Sequence, residues 1–406
     1  MFKGNCFEKE GFGMKTLIEG ATIVTCMGKT IKDGCILFSD RILGIGKTRD
    51  EVGNVEDARV INGEGKTIIP GLIDCHVHLG MDLENDASDT TIGAVVLSEA
   101  QECSTYGITT VRNMGTKHNA DIAVRDIINS TYCKGVRIVA SGQPITITGG
   151  HGSSMSYIAD SVDEARKAAR TVIGNGADVI KMIATGGMGT KGSNPYAVQL
   201  SEEQMRVICE EARRAGILTG AHCTALDGAK NAIKAGVRSV EHVQMNEEIA
   251  RMMRTNGTYY CPTIVTRYNI LHLLDPSLQW LKQKARPTDL DGKKRAIQLC
   301  HKYGIPVCAS TDSMNSSKAE HAVTKLGVSL ATELHIYVEF GMTNEEALLT
   351  ATKTASEMLC IGNQVGTLEV DKCADLVLLD GNPLDCIDNV SRVVKTYQRG
   401  KLSFSA

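Results

Sequence analysis

No stretch of about 18 apolar residues occurs in the 406-residue chain, so no segment reads as a membrane-spanning helix. The opening MFKGNCFEKEGFGMKT lacks an apolar core as well and is not expected to serve as a secretory signal. Neither sign of charge dominates. Lys and Arg number 44 against 47 Asp and Glu, and a net charge of −3 excludes the basic footprint of a nucleic-acid binder. The 14 cysteines include no C-x-x-C pair and stand singly, among them Cys6, Cys26, Cys75, Cys103, Cys223 and Cys308. In a chain of this length that favours reduced, buried thiols in a cytoplasmic protein over a disulfide scaffold. What is present is ordinary globular composition, 42% hydrophobic and 22% charged, with 40 glycines implying many turns. The length suits one large barrel domain with an appendage.

Residues 14–70 break into short β-rich runs punctuated by glycine: TLIEGATIVT, GCILFSD, RILGIGK and ARVINGEGKTIIP. This is the signature of a small antiparallel sheet. The same texture returns in GTLEVDKCADLVLLDGNPLD and NVSRVVKTYQRGKLSF. The two ends, 1–70 and 359–406, are therefore expected to pair into one β-domain. Within it, 1–13 reads as an irregular leader and Met14 as a candidate start. The middle, 71–358, alternates apolar runs with amphipathic helical patterns. Counting the run that leads into His76, eight strand candidates appear, the others being ITTVRNM, RIVASG, ADVIKMIATGG, ILTGAHC, SVEHVQM, TYYCPTIVT and IPVCASTDS. Ser161 with Glu164, Ser201 with Gln204, and Thr343 with Glu346 have the spacing of capping boxes and open three helices. Regular β-then-α alternation over eight units predicts an α/β fold of the (β/α)8 barrel type.

In such a barrel the chemistry sits at the C-terminal ends of the strands. His76 and His78 end the first run, Lys181 lies near the end of ADVIKM, His222 ends ILTGAHC, His242 ends SVEHV, and Asp312 ends PVCASTD. Alternate strand residues share a face, so His76 and His78 can reach one ion. Neutral imidazoles suit a borderline cation such as zinc, and Asp312 can add an oxygen ligand. His222 and His242 can bind a second ion nearby. An ammonium is a poor ligand, so Lys181 fits only if CO₂ carboxylates it to a bridging carbamate. Each residue alone has a plainer reading, a satisfied core histidine or a salt-bridged lysine. Together, unpartnered at one barrel mouth, they would cost a few kcal/mol each. Cys75, beside the pair, reads as a small core filler pointing away from it.

These marks, PGLIDCHVHLG, VIKMIATGG, GAHC, VEHV and ASTD with the tail ADLVLLDGNPL, resemble the amidohydrolase superfamily over nearly the whole chain. The resemblance implies a distorted (β/α)8 barrel with a small β-sandwich built from both termini. It implies a binuclear centre, with one metal on His76, His78 and Asp312 and the other on His222 and His242. Carboxylated Lys181 and a hydroxide would bridge them. The expected cofactors are two divalent ions, zinc first. In the implied mechanism Asp312 takes the proton of the attacking water and passes it to the leaving nitrogen. His151 in ITITGGHG is the candidate oxyanion donor, with a loop-stabilising histidine as its other reading.

Cytosine-deaminase-like members carry a catalytic Glu three residues after the histidine of the fifth strand. Here that position is Ala225. Imidazolonepropionase-like members lack the bridging lysine, so Lys181 favours hydrolysis of an amide or related carbonyl. ITITGGHG and MIATGGM resemble the prolidase-like branch, which cleaves dipeptides and N-acyl amino acids. A small-molecule or dipeptide substrate with a free carboxylate needs an anchor. Arg267 and Tyr268, following the seventh run, are the candidates, and Arg112 reads as a structural ion pair. GMGTKGSNPYAVQLS is either a mobile lid or a plain loop. The alternatives are a hydrolase of a cyclic amide, lactone or xenobiotic amide on the same centre, an imidazolonepropionase-like enzyme, or a non-catalytic scaffold, which would be expected to have lost ligands. A homo-oligomer is expected from the resemblance alone.

Overall fold

A computed structural model describes residues 14–81, 87–272, 279–286, 288–315 and 323–406. The expected leader, 1–13, lies outside them. Strands from both ends of the chain share one eight-stranded sheet. The long strand Thr16–Val24 organises it. It pairs antiparallel with Thr30–Phe38, and parallel with Arg59–Asn62 along its first half and Thr67–Pro70 along its second. The switch falls at Gly20, whose φ of +78° sits in a bulge that re-aims the strand. The sheet is thus mixed, where sequence texture predicts an antiparallel one. From the C-terminal end, Leu376–Leu379 pairs with Thr67–Pro70, and Val393–Gln398 and Lys401–Ser405 extend the order. The sheet curls on itself. Phe38 and Tyr397 meet edge to face at 5.1 Å although three strands separate theirs in hydrogen-bonding order.

Seven of the eight expected runs in the middle are strands, and all pairings among them are parallel. Leu72–Val77, Ile108–Asn113 and Arg137–Ala140 follow one another. Val179–Ile183, Leu218–His222, Ser239–Glu241 and Tyr259–Cys261 do the same. The amide of Asp178 donates to the carbonyl of Ala140 at 2.8 Å, linking the two sets. The eighth run, 305–313, is not a regular strand, but backbone bonds hold it on both sides. Cys308 donates to Tyr260 at 2.9 Å, while Cys75 donates to Ala309 and Asp312 donates to His76, at 2.9 and 2.8 Å. The hydrogen bonds therefore lead through all eight runs back to the first. These strands are buried along their length, as parallel strands covered on both faces must be.

All three capping boxes form, opening helices Val162–Gly174, Glu202–Ala215 and Asn344–Thr350. The third is shorter than its pattern predicts. Thr350 and Thr352 turn their hydroxyls back to the carbonyls of Ala347 and Leu348, and Thr352 leaves helical geometry before Lys353–Met358 resumes. The freed carbonyls of Thr350 and Ala351 accept from Ala309 and Ile73 instead. The seventh strand also stops early. Pro262 has no amide to donate and Thr263 takes a φ of +48°, so helix Ile264–His272 begins where a strand is expected. No described helix is long and apolar enough to cross a membrane.

Candidate metal centre

The polar residues at the strand ends converge. The Nε2 atoms of His76 and His78 lie 3.4 and 3.2 Å from Oδ1 of Asp312. The Nζ of Lys181 is 3.2 Å from Nε2 of His76. The imidazole of His242 lies 4.8 Å from that of His76 and 4.5 Å from that of His222, centroid to centroid. His151 stands 4.6 Å from His222 on the far side. One ligand atom each from His76, His242 and Asp312 fall within 4.8 Å of one another.

The donor set fits divalent ions. Each imidazole spends one nitrogen on the protein and leaves the other to the cluster. His76 donates from Nδ1 to Glu241 at 2.9 Å, and His78 from Nδ1 to the carbonyl of Gly115 at 3.2 Å. His222 donates from Nε2 to the carbonyl of Gly186 at 3.1 Å, and Nδ1 of His242 bonds the hydroxyl of Thr263 at 2.6 Å. Outer partners of this kind fix the tautomer of a metal-binding histidine. Burial first, then the cation of Lys181, pushes His76 down to about 4, so the ring stays neutral and its lone pair stays available. Burial pulls Asp312 upward most strongly, yet His78 and His76 together hold its carboxyl well below the ordinary range.

Lys181 is 2% exposed on strand Val179–Ile183. Burial pushes its amine down to about 8, toward the uncharged form that can attack CO₂. Backbone strain gathers here too. His242 and Asp312 take φ values of +69° and +56°, conformations that cost energy for residues other than glycine and cluster at functional sites.

Three carboxylate and guanidinium groups support the cluster. Glu241 was not singled out from sequence, although an acid inside an otherwise apolar parallel strand is a legible signal. It receives His76 on one oxygen and Arg112 on both, at 2.9 and 3.1 Å. Arg112 is buried and also donates to the carbonyl of Cys75 and the hydroxyl of Ser239. Its guanidinium is committed to structure, as the sequence suggests. Asp74, also overlooked, accepts from the amides of His76 and Thr311 and the hydroxyl of Thr311, tying the first run to the eighth. Cys75 packs in a buried apolar cluster with Cys261, Cys308 and Met114.

The expected substrate-binding residues are less uniformly placed. The Nδ1 of His151 bonds the hydroxyl of Thr190 at 2.7 Å, and burial pushes the ring down to about 4. A Cβ added to Gly187 would stand 2.3 Å from Nε2 of His151, so only glycine fits against that ring. The segment after the fourth strand is tied in place. Lys284 donates to the carbonyls of Met188 and Thr190 at 3.2 and 2.8 Å, and Arg286 lies 4.2 Å over the ring of Tyr196. Arg267 and Tyr268 belong to helix Ile264–His272 and not to a loop. Arg267 faces Asp289 at 3.1 Å. Tyr268 lies against His272 at 4.6 Å, and among the described residues its hydroxyl has no hydrogen bond to the cluster.

The sequence model of the amidohydrolase family matches residues 67–402, and the chain belongs to that family. It is a hydrolase of amide bonds, in line with its relatives. It is similar to ochratoxinase of Aspergillus niger, 30% identical over 95% of this chain and 86% of that protein. It is also similar to an imidazolonepropionase of Sphingopyxis alaskensis, 23% identical over 88% of this chain and 89% of the other. Among solved structures, a Xaa-Pro dipeptidase with methionine bound in its active site superposes with a TM-score of 0.84 at 27% identity, covering 97% of this chain and all of that one. The crystal structure of the A. niger ochratoxinase gives 0.80 at 27% identity, with 97% and 96% covered.

Proposed function

We propose that the chain is a binuclear metal-dependent amidohydrolase that cleaves a peptide or N-acyl amino acid at its amide bond. The ring of eight runs is then a distorted (β/α)8 barrel, with the curled sheet as its sandwich-like companion. His76, His78 and Asp312 would hold one ion, His222 and His242 the other, and Lys181, carboxylated on Nζ, would bridge them. One observation carries this reading. A buried lysine whose amine is pushed toward neutrality touches His76 amid four imidazoles, where an ammonium has no use.

When bound, divalent ions in such a site supply an acidified water and polarise the scissile carbonyl. Asp312 takes up the proton, being ionised and at 22% side-chain exposure the most open of the group beside His76 and His78. It then returns that proton to the leaving nitrogen. His151 is neutral at pH 7; with Thr190 donating to its Nδ1, its Nε2–H serves the developing oxyanion. Arg267 is the proposed anchor for a substrate carboxylate. Its neighbour Thr266 donates to the carbonyl of Thr311, next to Asp312, and its buried Nη1 lacks a hydrogen bond of good geometry. Tyr268 remains a candidate beside it on the same helix.

The likeness to a Xaa-Pro dipeptidase with a bound amino acid supports a substrate with a free α-carboxylate. A second reading, hydrolysis of a xenobiotic amide, is favoured by the 30% identity to ochratoxinase. A library of dipeptides and N-acyl amino acids, each paired with its carboxamide, tests the choice on the zinc-loaded enzyme. Preference for the free acids supports the peptidase reading. Equal turnover of acid and carboxamide rules out recognition of a free α-carboxylate, and turnover of non-peptide aryl amides without cleavage of the dipeptides supports the second reading.

A further inference from the structure

Helix Asp289–Tyr303 carries Lys293 into the interior behind the imidazole cluster, where the residue is 2% exposed. Its ammonium donates to two backbone carbonyls, those of His242 and Pro262, the second at 2.5 Å. Among the described residues it makes no ion pair, and Glu333, Asp289 and Asp312 act on it only from farther away. A buried ammonium is costly, and an apolar side chain of similar length would fill the space without that cost. What the two carbonyls do is therefore informative.

They stand just past the C-terminal ends of the neighbouring parallel strands Ser239–Glu241 and Tyr259–Cys261. At that point the strand geometry is lost. His242 adopts a φ of +69°, the amide of Val243 folds back to the carbonyl of Glu241 at 2.9 Å, and Thr263 follows Pro262 with a φ of +48°. These strained residues bond each other through Nδ1 of His242 and the hydroxyl of Thr263. Lys293 thus spans the two turns that aim the His242 imidazole.

We propose that Lys293 is a positioning residue that pins the carbonyls of His242 and Pro262 and so holds the His242 imidazole toward the metal centre. The inference rests on the two-metal reading of the site. Full-length wild type and Lys293→Met, each stripped of metal, would be titrated with zinc alone by calorimetry, and melted with and without zinc. The wild type is expected to take two ions. In the variant one of the two should weaken by about 10–100-fold, as for other outer-sphere groups, with the other unchanged. Zinc should also raise its melting temperature less than it raises the wild type's. Binding of both ions at wild-type affinity by a variant that merely melts earlier would overturn the positioning role and leave a packing residue. A wild type that takes no more than one ion overturns the two-metal reading, and this inference with it. If Lys293→Met does not fold, Lys293→Leu, which likewise fills the space without a donor, is titrated in the same way and judged by the same results.

Discussion

Burial sets the charge state of both Lys181 and His76. An amine at the surface stays protonated and repels a metal. The same amine buried beside His76 is pushed down to about 8 and can be carboxylated. Lys181→Ala is therefore expected to abolish amide hydrolysis, with partial recovery when a short carboxylic acid is added to stand in for the carbamate. Full activity in that variant would remove the bridging assignment. Burial also pushes His76 from its ordinary value of 6.5 down to about 4. Below pH 6.5 the unfolded chain takes up a proton that folded His76 refuses. Its contribution to the stability of the metal-free protein is complete above pH 6.5 and is lost as pH falls toward 4. This amounts to about 2 kcal/mol between pH 7 and 5. An NMR titration of the metal-free protein checks the sign: the ring should remain neutral at pH 5, and protonation near 6.5 would refute it.

At the scale of elements, the site depends on contacts that cross from strand to strand. Arg112 on Ile108–Asn113 reaches the carbonyl of Cys75 on Leu72–Val77 and Glu241 on Ser239–Glu241, so one side chain braces three strands. Arg112→Met leaves Glu241 charged and buried without its partner. Urea unfolding should show a loss of about 3–5 kcal/mol, the scale for breaking a buried pair. A change below 1 kcal/mol would mean that water or another cation compensates. The segment after Val179–Ile183 makes a different demand. With a Cβ at Gly187 only 2.3 Å from the His151 ring, Gly187→Ala must displace that ring or the loop. If His151 donates to the oxyanion, kcat should fall by about 10²–10³-fold with little change in KM. A pure KM effect would place His151 in ground-state binding instead.

Over the whole molecule, legibility followed periodicity. The three capping boxes and seven of eight strands were readable because side-chain spacing and turn chemistry are local. The histidines, Lys181 and Asp312 stood out as polar residues closing apolar runs. What stayed hidden was set by non-local contacts. The strand expected through Thr266 ends at Cys261 because Pro262 breaks the ladder and Glu333, 69 residues away from Ile264, accepts the first amides of the next helix. Glu241 and Asp74 gain meaning only from partners on other strands. Arg267, expected after a strand, lies on a helix facing Asp289.

Two metal ions and a carboxylated Lys181 are proposed to form one hydrolytic centre. The most direct measurement is the number of divalent ions bound per chain, by emission spectroscopy on dialysed wild type and Lys181→Ala, set against amide hydrolysis in the same samples. Two ions are expected per active wild-type chain and fewer than two, without hydrolysis, in the variant. Undiminished hydrolysis with one ion or none per chain would contradict the two-metal centre.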